Sequence, residues 1–157
     1  MSNNFDIFNF HMEWEGLEEL HERFDKMDQA TAENIVRAMT ENTEDLLGKS
    51  MRIAPIDEGT MIGSASARVN RVEVARGSKS GAPTTTGGRP DAKPGQVITG
   101  EVSYNTPYAA RQHEELTWQH LPGKQAKYLE QPLKENVTKY MENLRDAMAK
   151  GMKEGAK

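Results

Sequence analysis

The sequence predicts an α+β fold: a small curved antiparallel β-sheet with a long N-terminal helix and a C-terminal helix packed on it. Three observations predict it. Apolar residues recur at three- and four-residue steps in two stretches, one near each end of the chain. Short stretches of alternating apolar and polar residues lie between them. A segment rich in Gly and Pro, residues 76–95, separates two of the alternating stretches.

Residues 1–14 are expected to form an N-terminal arm, and the first helix is expected over 15–52. Leu17, Leu20, Phe24, Met27, Thr31, Ile35, Ala38, Asn42 and Leu46 make one stripe, with Met39 and Leu47 beside it and an acidic face opposite. A continuous helix of that length would measure roughly 55 Å at ~1.5 Å per residue. It must stop before Pro55, which pushes Ala54 out of helical geometry. Alternation over Val69–Val74 and again over Gln96–Tyr104 predicts two strands of one long β-hairpin, residues 61–104, with 76–95 as its long flexible loop. Thr106-Pro107 is a helix start, with a hydroxyl at the N-cap and Pro in the first turn, so a short helix is expected over 107–116. Leu129, Leu133, Val137, Tyr140, Leu144 and Met148 then mark a terminal helix over 132–150, followed by a fraying tail.

The chain has 157 residues, the length of one ordinary domain, with 36% hydrophobic and 28% charged residues. The core is therefore small, and part of the stabilising burial is expected from a partner chain. No apolar run approaches the ~18–20 residues that cross a bilayer, and the N-terminus lacks the features of a signal peptide, so synthesis in the cytoplasm and no membrane partner are expected. The absence of cysteine excludes disulfides, thiolate nucleophiles and Cys-ligated metals. The formal charge of −4 is unevenly spread. Residues 13–45 hold eleven acids and three bases, whereas 46–112 hold nine bases and five acids. Such polarity would orient identical subunits against one another.

No cofactor and no catalytic activity are expected. His113, Glu114 and His120 would be the ligands of a metal-dependent enzyme. A zincin needs two His four apart on one helix, and here they are seven apart. The acids Glu18, Glu19, Glu22 and Asp25 fall on a solvated helix face, and Ser64, Ser66 and Ser103 have no nucleophile-elbow context. Arg76, Lys79, Arg89 and Lys93 make the 76–93 segment basic, so it would contact phosphate in a nucleic-acid-binding accessory protein, although no aromatics interleave the charges. Trp14 would serve as an interface anchor or as core packing.

Four segments carry a further signal: Ala54-Pro55-Ile56-Asp57-Glu58-Gly59-Thr60-Met61-Ile62-Gly63-Ser64, then Val102-Ser103-Tyr104-Asn105-Thr106-Pro107-Tyr108-Ala109, then His113-Glu114, then Gly123-Lys124-Gln125-Ala126-Lys127-Tyr128-Leu129-Glu130-Gln131-Pro132-Leu133. In this order they resemble the small head–tail joining proteins of tailed bacteriophages, variously called neck, tail-completion or minor capsid proteins. The resemblance covers roughly residues 33–145. The chain departs from that pattern at Glu115-Leu116, where a Gly usually follows the acid closely, and in the length of its 76–95 loop.

The resemblance implies a structural virion protein at the head–tail interface, assembled as a ring, commonly sixfold, that contacts other neck, connector or tail proteins. DNA would pass through the ring without sequence-specific binding, since an acidic wall repels phosphate. A minor capsid protein is the nearest alternative within the same resemblance. The residues expected at the partner or ring interface are Asp57, Gly59, Arg76, Lys79, Arg89, Lys93, Tyr104, Tyr108, His113 and Glu114. Asp57 would cap a turn and Gly59 would supply a conformation other residues avoid. Tyr104 and Tyr108 offer apolar area with a polar tip.

Overall fold

The computed structural model describes residues 10–11, 29–56 and 58–155. The elements in chain order are β1 (Phe10–His11), α1 (Gln29–Ile53), α2 (Thr60–Gly63), β2 (Ala65–Val69), β3 (Val72–Arg76), β4 (Thr84–Thr85), β5 (Gly100–Tyr104), α3 (Ala109–Glu114) and α4 (Glu130–Gly155). The strands form one open, curved antiparallel sheet in the order β1-β5-β2-β3-β4. The α+β class and the two long helices are as the sequence predicts. The 15–28 part of the expected first helix, the arm 1–9 and Trp14 lie outside the described residues.

The stripe on α1 becomes the core. Ile35, Ala38, Met39, Leu46, Leu47 and Met51 are buried, and α1 is sandwiched between the sheet and α4. The facing stripe on α4, Leu133, Tyr140, Leu144 and Met148, is buried too. Burial of this kind stabilises by roughly 25 cal/mol per Å² of apolar surface. The α1–α4 seam is also polar. Buried Asn42 donates to the Tyr140 carbonyl at 3.0 Å and accepts from the Asn143 amide at 2.9 Å. Asp45 accepts from the Tyr140 hydroxyl and from Lys49, each at 2.7 Å. Partial burial raises the Asp45 pKa, but those two hydrogen bonds outweigh it and hold the carboxyl below its ordinary value.

Four boundaries differ from expectation. The β-hairpin is not the pairing of 69–74 with 96–104. β2 and β3 pair through a two-residue turn at Asn70-Arg71, both with positive φ (48° and 68°), and β5 pairs with β2 on its other side. The turn is the tight type that matches sheet twist, built without the usual Gly. Residues 60–63, expected to lead straight into a strand, form α2. The short helix starts at Ala109 instead of 107, because the Thr106 carbonyl, not its hydroxyl, accepts the Ala109 N–H. The last helix runs past 150 to Gly155, since Gly151 lies against Thr31 of α1 and Asn34 donates to Glu154 at 3.1 Å.

The 76–95 segment does not hang from a hairpin tip. It folds back as β4 along β3, with Thr86 donating to the Val74 carbonyl and its hydroxyl to that of Glu73. It then crosses the β2–β3 turn, where Asn70 donates to the Asp91 carbonyl at 2.8 Å. Gly77 starts this path, and a Cβ there would sit 1.9 Å from the Ile62 carbonyl oxygen.

Two substitutions test this account by urea denaturation. Gly77→Ala should lower stability by about 1–3 kcal/mol, the cost of overpacking against backbone. Arg71→Gly should raise it by up to ~1 kcal/mol, because it relieves a left-handed conformation.

Candidate interaction site

β5 ends at Tyr104, whose ring is fully buried and whose hydroxyl lies 2.7 Å from Ser50 Oγ near the end of α1. Tyr128, just before α4, sets its ring edge-on to Tyr104, with centroids 5.0 Å apart at 79°. Its hydroxyl donates to the Ala109 carbonyl in α3 at 2.5 Å and lies 3.8 Å from Met61 Sδ in α2. Burial pushes both phenols well above their ordinary pKa, so they stay neutral hydrogen-bonding groups.

His113, 1% exposed, also packs edge-on with Tyr128, with centroids 5.0 Å apart. Its Nε2 accepts the backbone N–H of Glu130, the first residue of α4, at 3.1 Å. Its Nδ1 then carries the proton and donates to Glu114 Oε1 at 2.8 Å. Lys127, in left-handed geometry at φ 56°, donates its backbone N–H to the His113 carbonyl at 2.8 Å. Its ammonium pairs with Glu114 and, at 3.0 Å, with Glu130. Hydrogen bonds from Lys134 and Lys127 bring the Glu130 carboxyl down to about 2. Glu114 is also held below its ordinary value. Burial opposes this, but the hydrogen bonds from Lys127 and His113 prevail.

Beside this knot opens a cleft of about 840 Å³, whose walls include Ile56, Met61, Tyr108, Gln112, Trp118 and Leu121. Tyr108, Trp118 and Leu121 are 42%, 37% and 63% exposed, and the Arg111 guanidinium stands 5.2 Å over the Trp118 ring. Gln112 Oε1 and His120 Nε2, on residues that line the cleft, have no hydrogen-bond partner. A concave, half-apolar surface with aromatic walls makes this cleft the candidate binding surface.

The residues singled out in the sequence are distributed as follows. Gly59 adopts φ 78° and precedes α2, where a side chain would meet the Lys79 carbonyl at 3.0 Å; it lines the cleft. Tyr108 is on the cleft wall, whereas Tyr104, also expected at an interface, is in the core. His113 is core as well, with Glu114 half-exposed beside it. Asp57 lies outside the described residues. Arg76, Lys79, Arg89 and Lys93 are exposed but do not make one cluster. Arg76, paired with Glu73 at 2.6 Å, and Lys79 lie toward the α2 end of the sheet. Arg89 and Lys93 flank Asp91 at the β2–β3 turn, which is about 16 Å away along β3 at ~3.3 Å per residue.

Both ring nitrogens of His113 are committed to Glu114 and Glu130, and among the described residues no three His, Asp or Glu side chains group as metal ligands would. Among them, too, no helix is long and apolar enough to cross a membrane. Sequence reading missed Ser50 and Tyr128 as a pair of anchors, and Gln112, Trp118 and Leu121 as cleft walls. The signal for Trp118 and Leu121 was present: large apolar residues in an irregular segment, off any stripe. Comparison with protein-family models, curated proteins and solved structures gives no significant match.

Tyr104→Phe should cost about 1–3 kcal/mol, because Ser50, itself fully buried, is left unpaired. Adding Ser50→Ala should recover part of that loss in a double-mutant cycle, and exposed Tyr108→Phe should leave denaturation midpoints unchanged.

Proposed function

We propose that this chain is a structural component of a tailed-phage virion, a neck or tail-completion protein that assembles as a ring, sixfold as in the family it resembles, between head and tail. One observation supports the reading above others: the segments that carry the resemblance, far apart in sequence, meet at one end of the sheet. Tyr128 of the last segment bonds Ala109 of the second and touches Met61 of the first. His113 of the third receives the Glu130 amide of the last. The backbone N–H of Gln125 and the ammonium of Lys124 reach the Ile53 and Arg52 carbonyls at the end of α1. These residues build a shape, and the cleft at its side is where that shape meets a neighbour.

In this reading the chain works by complementarity. A surface that docks against a different surface on the next copy closes into a ring when the rotation allows. Tyr108 and Trp118, rigid and aromatic, are the anchors of that contact. The acidic balance of the whole chain keeps DNA moving through the ring instead of adhering to it.

Light scattering coupled to size exclusion, on the protein alone and mixed with portal–connector particles, tests the proposal. Association with the particles is expected, and Trp118→Ala with Tyr108→Ala should weaken it at least ~10-fold, the effect of losing anchors worth above ~1 kcal/mol each. Tail-less or leaking particles from a phage lacking the chain are the expected counterpart by electron microscopy. No association with any virion component would overturn the reading.

A further inference from the structure

His113 occupies a position that neither its sequence context nor the proposed assembly explains. It lies at the end of α3, buried, and joins the two successive helices that the 115–129 connection separates. Nδ1 faces the carboxylate of Glu114 on its own helix, and Nε2 faces the amide that opens α4. Between those contacts runs the 115–129 connection, which carries Trp118, His120 and Leu121 of the cleft wall. The same connection is pinned from its far end, where Lys127 N–H bonds the His113 carbonyl.

We infer that His113 is a proton-operated latch: its neutral Nδ1–H tautomer ties α3 to the start of α4 and closes the 115–129 connection, and protonation at Nε2 releases it. The chemistry is confined to one atom. Nε2 accepts a hydrogen bond only while it lacks a proton. Once protonated it presents N–H to the Glu130 N–H, so that an attraction becomes a repulsion, and a cation faces the positive end of a long helix. The charged groups facing the ring come from each packed element. Glu114 on α3 and the Glu130 carboxylate on α4 favour the cation, whereas Lys127 of the connection disfavours it. Burial is the largest influence and lowers the His113 pKa, against the Glu114 hydrogen bond. The folded form therefore binds this proton less readily than the unfolded chain. The latch contributes fully above the ordinary histidine range, near ~6.5, and its contribution is lost as pH falls from there through the lower value of the folded form.

Two measurements on the full chain test this. Nitrogen-15 spectra of the histidine rings read the tautomer directly, and amide hydrogen exchange at Glu130, corrected for its intrinsic pH dependence, reads the latch. At pH 7.5 the Nδ1–H tautomer is expected. Between pH 7.5 and the pH at which the ring spectra show His113 protonated, the Glu130 amide should lose protection roughly fivefold, as for one lost hydrogen bond of ~1 kcal/mol. Trp118 fluorescence should change over the same interval. His113→Gln should remove the pH dependence, and His120→Gln, which alters the cleft but not the latch, should keep it. An Nε2–H tautomer at neutral pH, a ring still neutral where the chain unfolds in acid, or a Glu130 amide equally protected once the ring is protonated, overturns the inference. So does a response that survives His113→Gln. Should that variant fail to fold, the tautomer and exchange measurements on the unaltered chain decide alone. None of these readouts depends on ring assembly, so the latch and the virion role stand or fall separately.

Discussion

One aromatic ring holds the parts of this molecule together. Tyr128 sets its ring edge-to-face with Tyr104 and with His113 and its hydroxyl on the Ala109 carbonyl, so one residue meets the end of the sheet, the short helix and the approach to the last helix. Its burial removes apolar area from water, and its hydroxyl satisfies a carbonyl that would otherwise compete for a partner in a dry interior. Around it the irregular chain of residues 115–129 has few regular backbone bonds of its own. The order of that region is borrowed from side chains. The cleft walls are therefore only as firm as the knot behind them.

A second kind of specificity runs along the α1–α4 seam. An apolar stripe alone would let two helices slide by a turn with little change in contact. Asn42 cannot slide, because its amide serves one particular carbonyl, that of Tyr140, and receives one particular amide, that of Asn143. A buried amide that loses its partners costs about 1–3 kcal/mol, which is enough to select one register over its neighbours. The Asp45, Lys49 and Tyr140 contacts, closer to solvent, add direction more than strength.

Helix positions were legible in the sequence because a 3.6-residue stripe states its own burial: Ile35, Ala38, Leu46, Leu133 and Leu144 are core as their spacing requires. The hairpin was harder to read. Asn70-Arg71 has no Gly, and its left-handed geometry is imposed by the flanking strands. Val69 and Val74, both buried, are five apart and cannot share one face of a single strand, so a change of phase was the available sign of a turn. The knot was half legible. Tyr104, His113 and Glu114 stood out as residue types in a familiar order, but that two of them face inward follows from Tyr128 and Ser50, whose partners lie 15 or more residues away. Contacts of that kind leave no local periodicity. The basic residues of 76–93 read as one patch only because they are close in sequence. Laying the segment along β3 sends them to opposite ends of a strand.

That same laying-down of residues 84–85 has a wider meaning. Among the described residues, the outermost strands of the sheet, β1 and β4, are two residues long. So short a border offers almost no row of free amides and carbonyls on which a second sheet might grow. Copies crowded together therefore find little at those two strands for indiscriminate edge-to-edge polymerisation. A union of copies at those borders is left to side chains, where choice of neighbour is possible.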